Sequence, residues 1–86
     1  MDVKTAVAAA KEYVKDLFAE EGVGDLGLEE VVYDDRQSVW DITIGFTRSW
    51  DRSESPIIRA RREYKVVSIR DDGSVLSVKH RITASA

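Results

Sequence analysis

The sequence predicts an α+β fold in which one N-terminal helix packs on a four-stranded antiparallel meander sheet. Apolar residues recur at helical spacing before Gly22, and the pattern changes to alternation after Gly27. Turn-forming residues then divide the alternating part into four segments. With 86 residues and no cysteine, the chain is expected to form a single domain, 1–86, whose stability comes from packing alone.

The predicted helix begins after Asp2, which is expected to cap it, and ends before Gly22, which supplies left-handed backbone geometry. The predicted helix is amphipathic. Its apolar stripe comprises Val3, Ala6, Val7, Ala10, Tyr13, Val14, Leu17 and Phe18. The stripe is expected to cover one face of the sheet. The following segment, EEGVGDLG, is expected to be a connector.

Four alternating segments are predicted to be strands: LEEVVYDD, VWDITIGFTRSW, IIRARREYKVVSIR and VLSVKHRI. DDRQS is the predicted first turn, and the polar segment DRSESP, which holds Pro56, is the predicted second connection. Asp72-Gly73 is a strong signal for a two-residue turn.

Register can be predicted for the last hairpin. Centring its turn on Asp72-Gly73 pairs Ile69 with Leu76 and Val67 with Val78. The apolar residues of the third segment change parity between Val66 and Val67, which predicts a bulge there. Without that bulge both faces of the strand are partly covered, which implies a partner.

Alternation in the second strand predicts which face meets the helix. Trp40, Ile42, Ile44 and Phe46 share one parity and are expected to face the helix. Asp41, Thr43, Gly45 and Thr47 share the other parity and are expected to form an open sheet face. Such a face of small residues is flat and easily covered by another molecule.

Charge is distributed unevenly along a chain of formal net charge −3. Residues 1–35 hold ten acids against three lysines, whereas residues 36–86 hold six acids against ten basic residues. The asymmetry favours either neutralisation between the two parts within the fold or electrostatic steering of a partner.

Residue types typical of catalysis are sparse, and no catalytic, cofactor or metal site is predicted. His80 is the only histidine and has no nucleophile-elbow context, so a structural or solvent-facing role is expected. The adjacent pairs Asp34-Asp35 and Asp71-Asp72 point to opposite sides of an extended chain and are interpreted as turn formers. The sequence therefore predicts a protein that is not an enzyme.

Basic and aromatic residues around the third strand raise an alternative function. Arg59, Arg61 and Lys65 are predicted on one side of that strand. Trp40 and Trp50 would be platforms on which bases could stack. Single-stranded nucleic-acid binding is the alternative that this arrangement predicts. The overall pI of 5.1 and the interruption of the stripe by Glu63 oppose it.

The chain resembles the small bacterial PepSY-like and cystatin-like domains. The resemblance rests on VWDITI in one strand and on the closing EYKVVSIRDDGSVLSVKHR, where the matching residues are Trp40, Ile42, Ile44, Val66, Val67, Ile69, Asp71, Gly73 and Val75. It implies binding or inhibition of peptidases and offers no catalytic residue to transfer. PepSY domains are usually exported or membrane-attached, whereas charges at Lys4, Lys11 and Glu12 interrupt any signal-peptide core here.

The prediction is therefore a cytoplasmic, non-enzymatic protein-interaction or regulatory module that uses its open sheet face or a sheet edge. Its partner is expected to be another protein or a second copy, with no cofactor, no metal and no membrane. The candidate surface comprises Asp41, Thr43, Thr47, Trp50, Arg59, Arg61 and Lys65.

Overall fold

The structure, a computed structural model, describes residues 1–48 and 62–81. A helix, α1 (Val3–Leu17), is followed by a 3-10 turn (Ala19–Glu21) and the strands β1 (Val23–Asp34), β2 (Val39–Arg48), β3 (Glu63–Arg70) and β4 (Val75–His80). The strands form one antiparallel sheet in the order β1-β2-β3-β4. The predicted α+β arrangement is confirmed.

The predicted start of the helix is confirmed, but α1 ends at Leu17, and Gly22 ends the 3-10 turn that follows it instead of α1 itself. The Asp2 carboxylate accepts a hydrogen bond of 2.8 Å from the backbone N–H of Thr5, which satisfies a donor of the first turn. Gly22 has a φ of 65°, the left-handed geometry that an L-residue with a side chain adopts at a cost. The chain therefore turns toward the sheet directly after the 3-10 turn.

Helix and sheet bury a shared core whose members are Ala6, Ala10, Val14, Ile42, Ile44, Phe46, Val67 and Ile69. Trp40 is half-buried and packs against this cluster, so the predicted parity of β2 is confirmed. The helical stripe is narrower than predicted, because Val3, Tyr13 and Leu17 remain exposed. Alanines in the middle of the helix let it approach the sheet closely.

The segment EEGVGDLG is not the predicted connector, since β1 already begins at Val23. Val23 pairs with Arg48 and Gly24 with Thr47, and the ladder is then interrupted before Gly27. Asp25, with a φ of 55°, lies within that interruption. Pairing with the far end of β2 thus extends a strand into a glycine-rich stretch that lacks strand character.

The hairpin between β3 and β4 follows the predicted register only in part. Val67 pairs with Val78 as expected, but Ile69 pairs with Val75 instead of Leu76. The ladder shifts between Ser68 and Ile69, and this leaves Leu76 as an extra residue, 44% exposed. The bulge lies in β4, so its predicted position near Val66 and Val67 is wrong.

Candidate functional site

The sheet face that carries the polar residues of β2 is covered by other side chains of the protein. Thr43 and Thr47 are only 3% and 4% exposed, although the helix packs on the opposite face. Thr43 accepts a 2.8 Å hydrogen bond from Arg81, and the Thr47 hydroxyl donates to Asp25 at 2.9 Å. Asp41 in turn accepts a 2.6 Å bond from the hydroxyl of Ser68. These three predicted contact residues are already engaged within the sheet.

Two arginine–glutamate pairs lie across the same face. The Arg62 guanidinium is 3.6 Å from the Glu29 carboxylate, and Arg81 contacts Glu30. Gly45 lies beneath the first pair, and a Cβ there would lie 2.9 Å from both Arg62 Nη2 and Glu29 Oε2, so the ends of these two side chains would have to shift. Side chains of the protein itself thus cover the sheet face that was expected to be open to a partner.

A polar cleft of about 210 Å³ remains on this face, lined by Glu29, Glu30, Thr43, Tyr64 and Arg81. Its cation, Arg81, is paired with one of its two carboxylates. An anionic ligand would have to displace Glu30 from Arg81 and would still meet Glu29. The cleft therefore has little attraction for phosphate or carboxylate groups.

Lys65 does not belong to the open face. It pairs with Ile44 on the helix side of the sheet, and its Nζ lies 5.8 Å from the centroid of the Phe18 ring. Trp50, Arg59 and Arg61 lie outside the described residues. The structure therefore places Lys65 apart from Asp41, Thr43 and Thr47.

Arg48 occupies the same inner side, at the end of β2. Its guanidinium carbon lies 5.1 Å from the Phe18 ring centroid, and its nitrogens contact the carboxylates of Glu21 and Glu63. The side chain is only 13% exposed. A cation over an aromatic face and between two acids stabilises the junction between the helix and the sheet.

The acidic pairs act at turns, as predicted. Asp34 accepts from the backbone N–H of Arg36 at 3.0 Å. Asp72 accepts from both the hydroxyl and the backbone N–H of Ser74, and these hydrogen bonds lower the pKa of Asp72 below its ordinary value. The Asp71 carboxylate accepts from the Tyr33 hydroxyl at 2.9 Å.

His80 is exposed at the end of β4. Within residues 1–48 and 62–81, no group of three or more histidine, aspartate or glutamate side chains is arranged to hold a metal ion. Across the same ranges, no helix is long and apolar enough to cross a membrane.

Both outer strands of the described sheet carry irregularities. β1 shifts register twice, between Gly24 and Gly27 and between Leu28 and Glu30, while β4 carries the bulge at Leu76. Bulges twist an edge and break the regular row of backbone donors and acceptors that an added strand requires. The edges are therefore poor templates for strand addition.

A surface that the sequence did not predict lies between α1 and β1. It is an open apolar groove of about 400 Å³, lined by Val3, Lys4, Val7, Ala8, Lys11 and Leu28. Val3 is 46% and Leu28 44% exposed. Leu28 borders the second register shift of β1. Helical spacing predicted that Val3 and Val7 face the core, and no feature of the sequence predicts the register shift beside Leu28.

Two lysines at the groove, Lys4 and Lys11, form no ion pair with the residues that the structure describes. Among the described residues the ion pairs involve Arg48, Arg62 and Arg81, and neither Lys4 nor Lys11 takes part in one. Exposed apolar side chains beside lysines that make no ion pair among the described residues distinguish this groove from the covered sheet face.

Comparison of the chain with protein-family models, with curated proteins and with solved structures found no match. The resemblance to PepSY-like and cystatin-like domains stays a prediction.

Proposed function

We propose that this protein is a non-enzymatic protein-interaction module whose contact surface is the groove between α1 and β1. The observation that carries the proposal is the exposure of Val3 and Leu28 beside Lys4 and Lys11, which make no ion pair among the described residues. Apolar area left in a concave surface gains stability when a partner covers it. The cytoplasmic location expected from the sequence belongs to the same proposal.

Two features of the sheet favour the groove over the surfaces that the sequence indicated. The open face is covered by Arg62, Glu29 and Arg81, and a partner would have to displace ion pairs to reach Thr43. The sheet edges carry bulges at Leu28/Glu30 and at Leu76. The occupant of the groove is a protein segment with apolar side chains and carboxylates, because the rim is apolar and cationic.

Site-directed photocrosslinking tests this function, and the absence of native cysteine makes the labelling specific. A photoreactive group is attached to Lys15→Cys, an exposed position one helical turn beyond Lys11 that leaves both groove lysines in place. The matched control carries the group on Lys79→Cys, which is exposed on the opposite sheet face. In cells of the source organism, the groove position is expected to give a discrete protein adduct that the control does not give.

A second variant identifies the groove as the cause of that adduct. Val3→Ser with Leu28→Ser, introduced into the Lys15→Cys protein, is expected to abolish the adduct while the thermal unfolding of the protein stays close to that of the parent. An adduct that forms equally from Lys79→Cys, or that survives removal of the apolar rim, would contradict the proposal.

A further inference from the structure

The groove follows the helix axis. Its helical lining residues recur one and two turns apart, as Val3, Val7 and Lys11 on one line and Lys4 with Ala8 on the next. Lys11 lies seven positions after Lys4, which corresponds to about 10 Å along the helix axis. Ala8 lies between the two lysines and allows another backbone to approach closely.

The spacing of the lysines favours a helical occupant. Residues seven apart on a second helix lie on one face and about 10 Å from each other, which matches Lys4 and Lys11. Same-face residues of an extended strand lie about 7 or 13 Å apart and match the two lysines less well. A helix with apolar residues between two acids would place its carboxylates at the two lysines and its apolar side chains against the apolar lining of the groove.

A second copy of α1 does not fit this requirement. An antiparallel pair of α1 helices centred between Val7 and Ala8 would set Lys4 of one copy against Lys11 of the other. A parallel pair would set each lysine against itself. Both arrangements bring like charges together, so the groove selects against its own helix.

We propose that the groove binds an amphipathic helix of another protein in which two carboxylates, seven residues apart, meet Lys4 and Lys11. The apolar side chains between those carboxylates enter the space between Val3, Val7 and Leu28. This inference rests on the proposed function and adds to it the chemistry and the spacing of the partner.

Three synthetic helical peptides test the inference, and they differ only at two positions seven residues apart that flank a pair of leucines. One peptide carries glutamate at both positions, one carries lysine and one carries glutamine. Fluorescence anisotropy with the full chain at low salt is expected to show that the glutamate peptide binds at least about tenfold more tightly than the lysine peptide.

Charge reversal on the protein provides the decisive arm. Lys4→Glu with Lys11→Glu is expected to weaken the glutamate peptide about tenfold and to make the lysine peptide the tighter ligand. The matched control, Arg36→Glu with Lys79→Glu, makes the same change in net charge at exposed positions away from the groove and is expected to preserve the parent's order of affinities.

The outcomes separate this inference from the proposed function. Equal binding of all three peptides, lost in Val3→Ser with Leu28→Ser, would overturn the acidic-helix inference and leave protein binding at the groove intact. Absence of binding by every peptide would overturn the inference, while the crosslinking result decides the proposed function by itself. Binding of anionic lipid vesicles that depends on Lys4 and Lys11, without binding of the glutamate peptide, would replace the helix with a membrane surface.

Discussion

The indole Nε1 of Trp40 donates a hydrogen bond of 3.1 Å to Oδ1 of Asp71, which ties the second strand to the last turn of the sheet. The ring of Tyr33 packs on Trp40 with centroids 4.6 Å apart, and its hydroxyl donates to the other oxygen of the same carboxylate. The side chain of Ser38 acts to lower the pKa of Tyr33, but the Asp71 carboxylate holds that pKa above its ordinary value of 10.0. One acid thus fixes two aromatic side chains from neighbouring strands.

Replacement of Trp40 tests whether this ring packs beneath the helix. Trp40→Ala is expected to lower the free energy of unfolding by about 3 kcal/mol, the lower end for buried aromatic residues, since Trp40 is half-buried. Trp40→Phe keeps a ring beside Tyr33 but loses the hydrogen bond and part of the packed ring area, at a smaller cost of about 1–2 kcal/mol. Urea denaturation measures both values, and a Trp40→Ala protein that unfolds at the parent's midpoint would place the ring outside the core.

Arg48 provides a second test at the opposite end of β2. Arg48→Met keeps an unbranched apolar stem over Phe18 but removes the cation that contacts Glu21 and Glu63, and we expect a loss of about 2–3 kcal/mol. Adding Glu63→Gln neutralises the more buried of the two carboxylates and is expected to restore part of that stability. The two single variants and the double variant form a cycle of chemical denaturation measurements. Strict additivity in that cycle would show that the pair does not couple the helix end to the sheet.

Periodicity predicted the helix, the parity of β2 and the general order of the strands because each depends on local repetition. Trp40, Ile42, Ile44 and Phe46 lie where alternation placed them, since a one-residue slip would expose the whole set. Capping by Asp2 was equally predictable, because a carboxylate three residues before an N–H donor needs no tertiary information.

The irregular parts of the sheet were not predictable because they depend on pairing between distant residues. The bulge at Leu76 follows the turn between β3 and β4. In that turn the N–H of Arg70 donates a 2.9 Å hydrogen bond to the carbonyl of Ser74. β1 begins before the predicted start at Leu28, because Val23 pairs with Arg48 of β2. Leu28, which lines the groove, borders such an irregularity, and single-residue propensity carries no signal for its position.

Acid titration tests the cap of the helix. The hydrogen bond from the backbone N–H of Thr5, with that residue's side chain as a further donor, lowers the pKa of Asp2 below its ordinary value of 3.8. A carboxylate with a lowered folded-state pKa stabilises the fold above its unfolded pKa and loses that contribution as the pH falls through the folded value.

Asp2→Asn removes the titration while keeping a side chain that can cap. The difference in unfolding free energy between parent and variant is therefore expected to be constant above about pH 5 and to shift against the parent below about pH 4. Denaturation curves across that range measure it. A difference that does not change with pH would show that the charge of Asp2 contributes nothing to the cap.

The last prediction concerns nucleic acid, the alternative function that the sequence raised. We expect the parent protein to show no salt-sensitive binding of generic single-stranded DNA or RNA, because Arg62 and Arg81 are paired with Glu29 and Glu30 on the open face. Arg59 and Arg61 lie outside the described residues, so the measurement uses the full chain.

A variant in which Arg62 and Arg81 lose their paired carboxylates tests this explanation directly. Glu29→Gln with Glu30→Gln removes the two carboxylates and is expected to create weak oligonucleotide binding where the parent has none. That binding should fall with salt as each neutralised phosphate releases counterions, with a logarithmic slope of about −0.7 per phosphate on a single strand. The matched reversal, Arg59→Glu with Arg61→Glu, should leave the parent's lack of binding unchanged. Tight, salt-dependent binding by the parent that this reversal abolishes would instead assign nucleic-acid recognition to the arginines of the 59–61 segment.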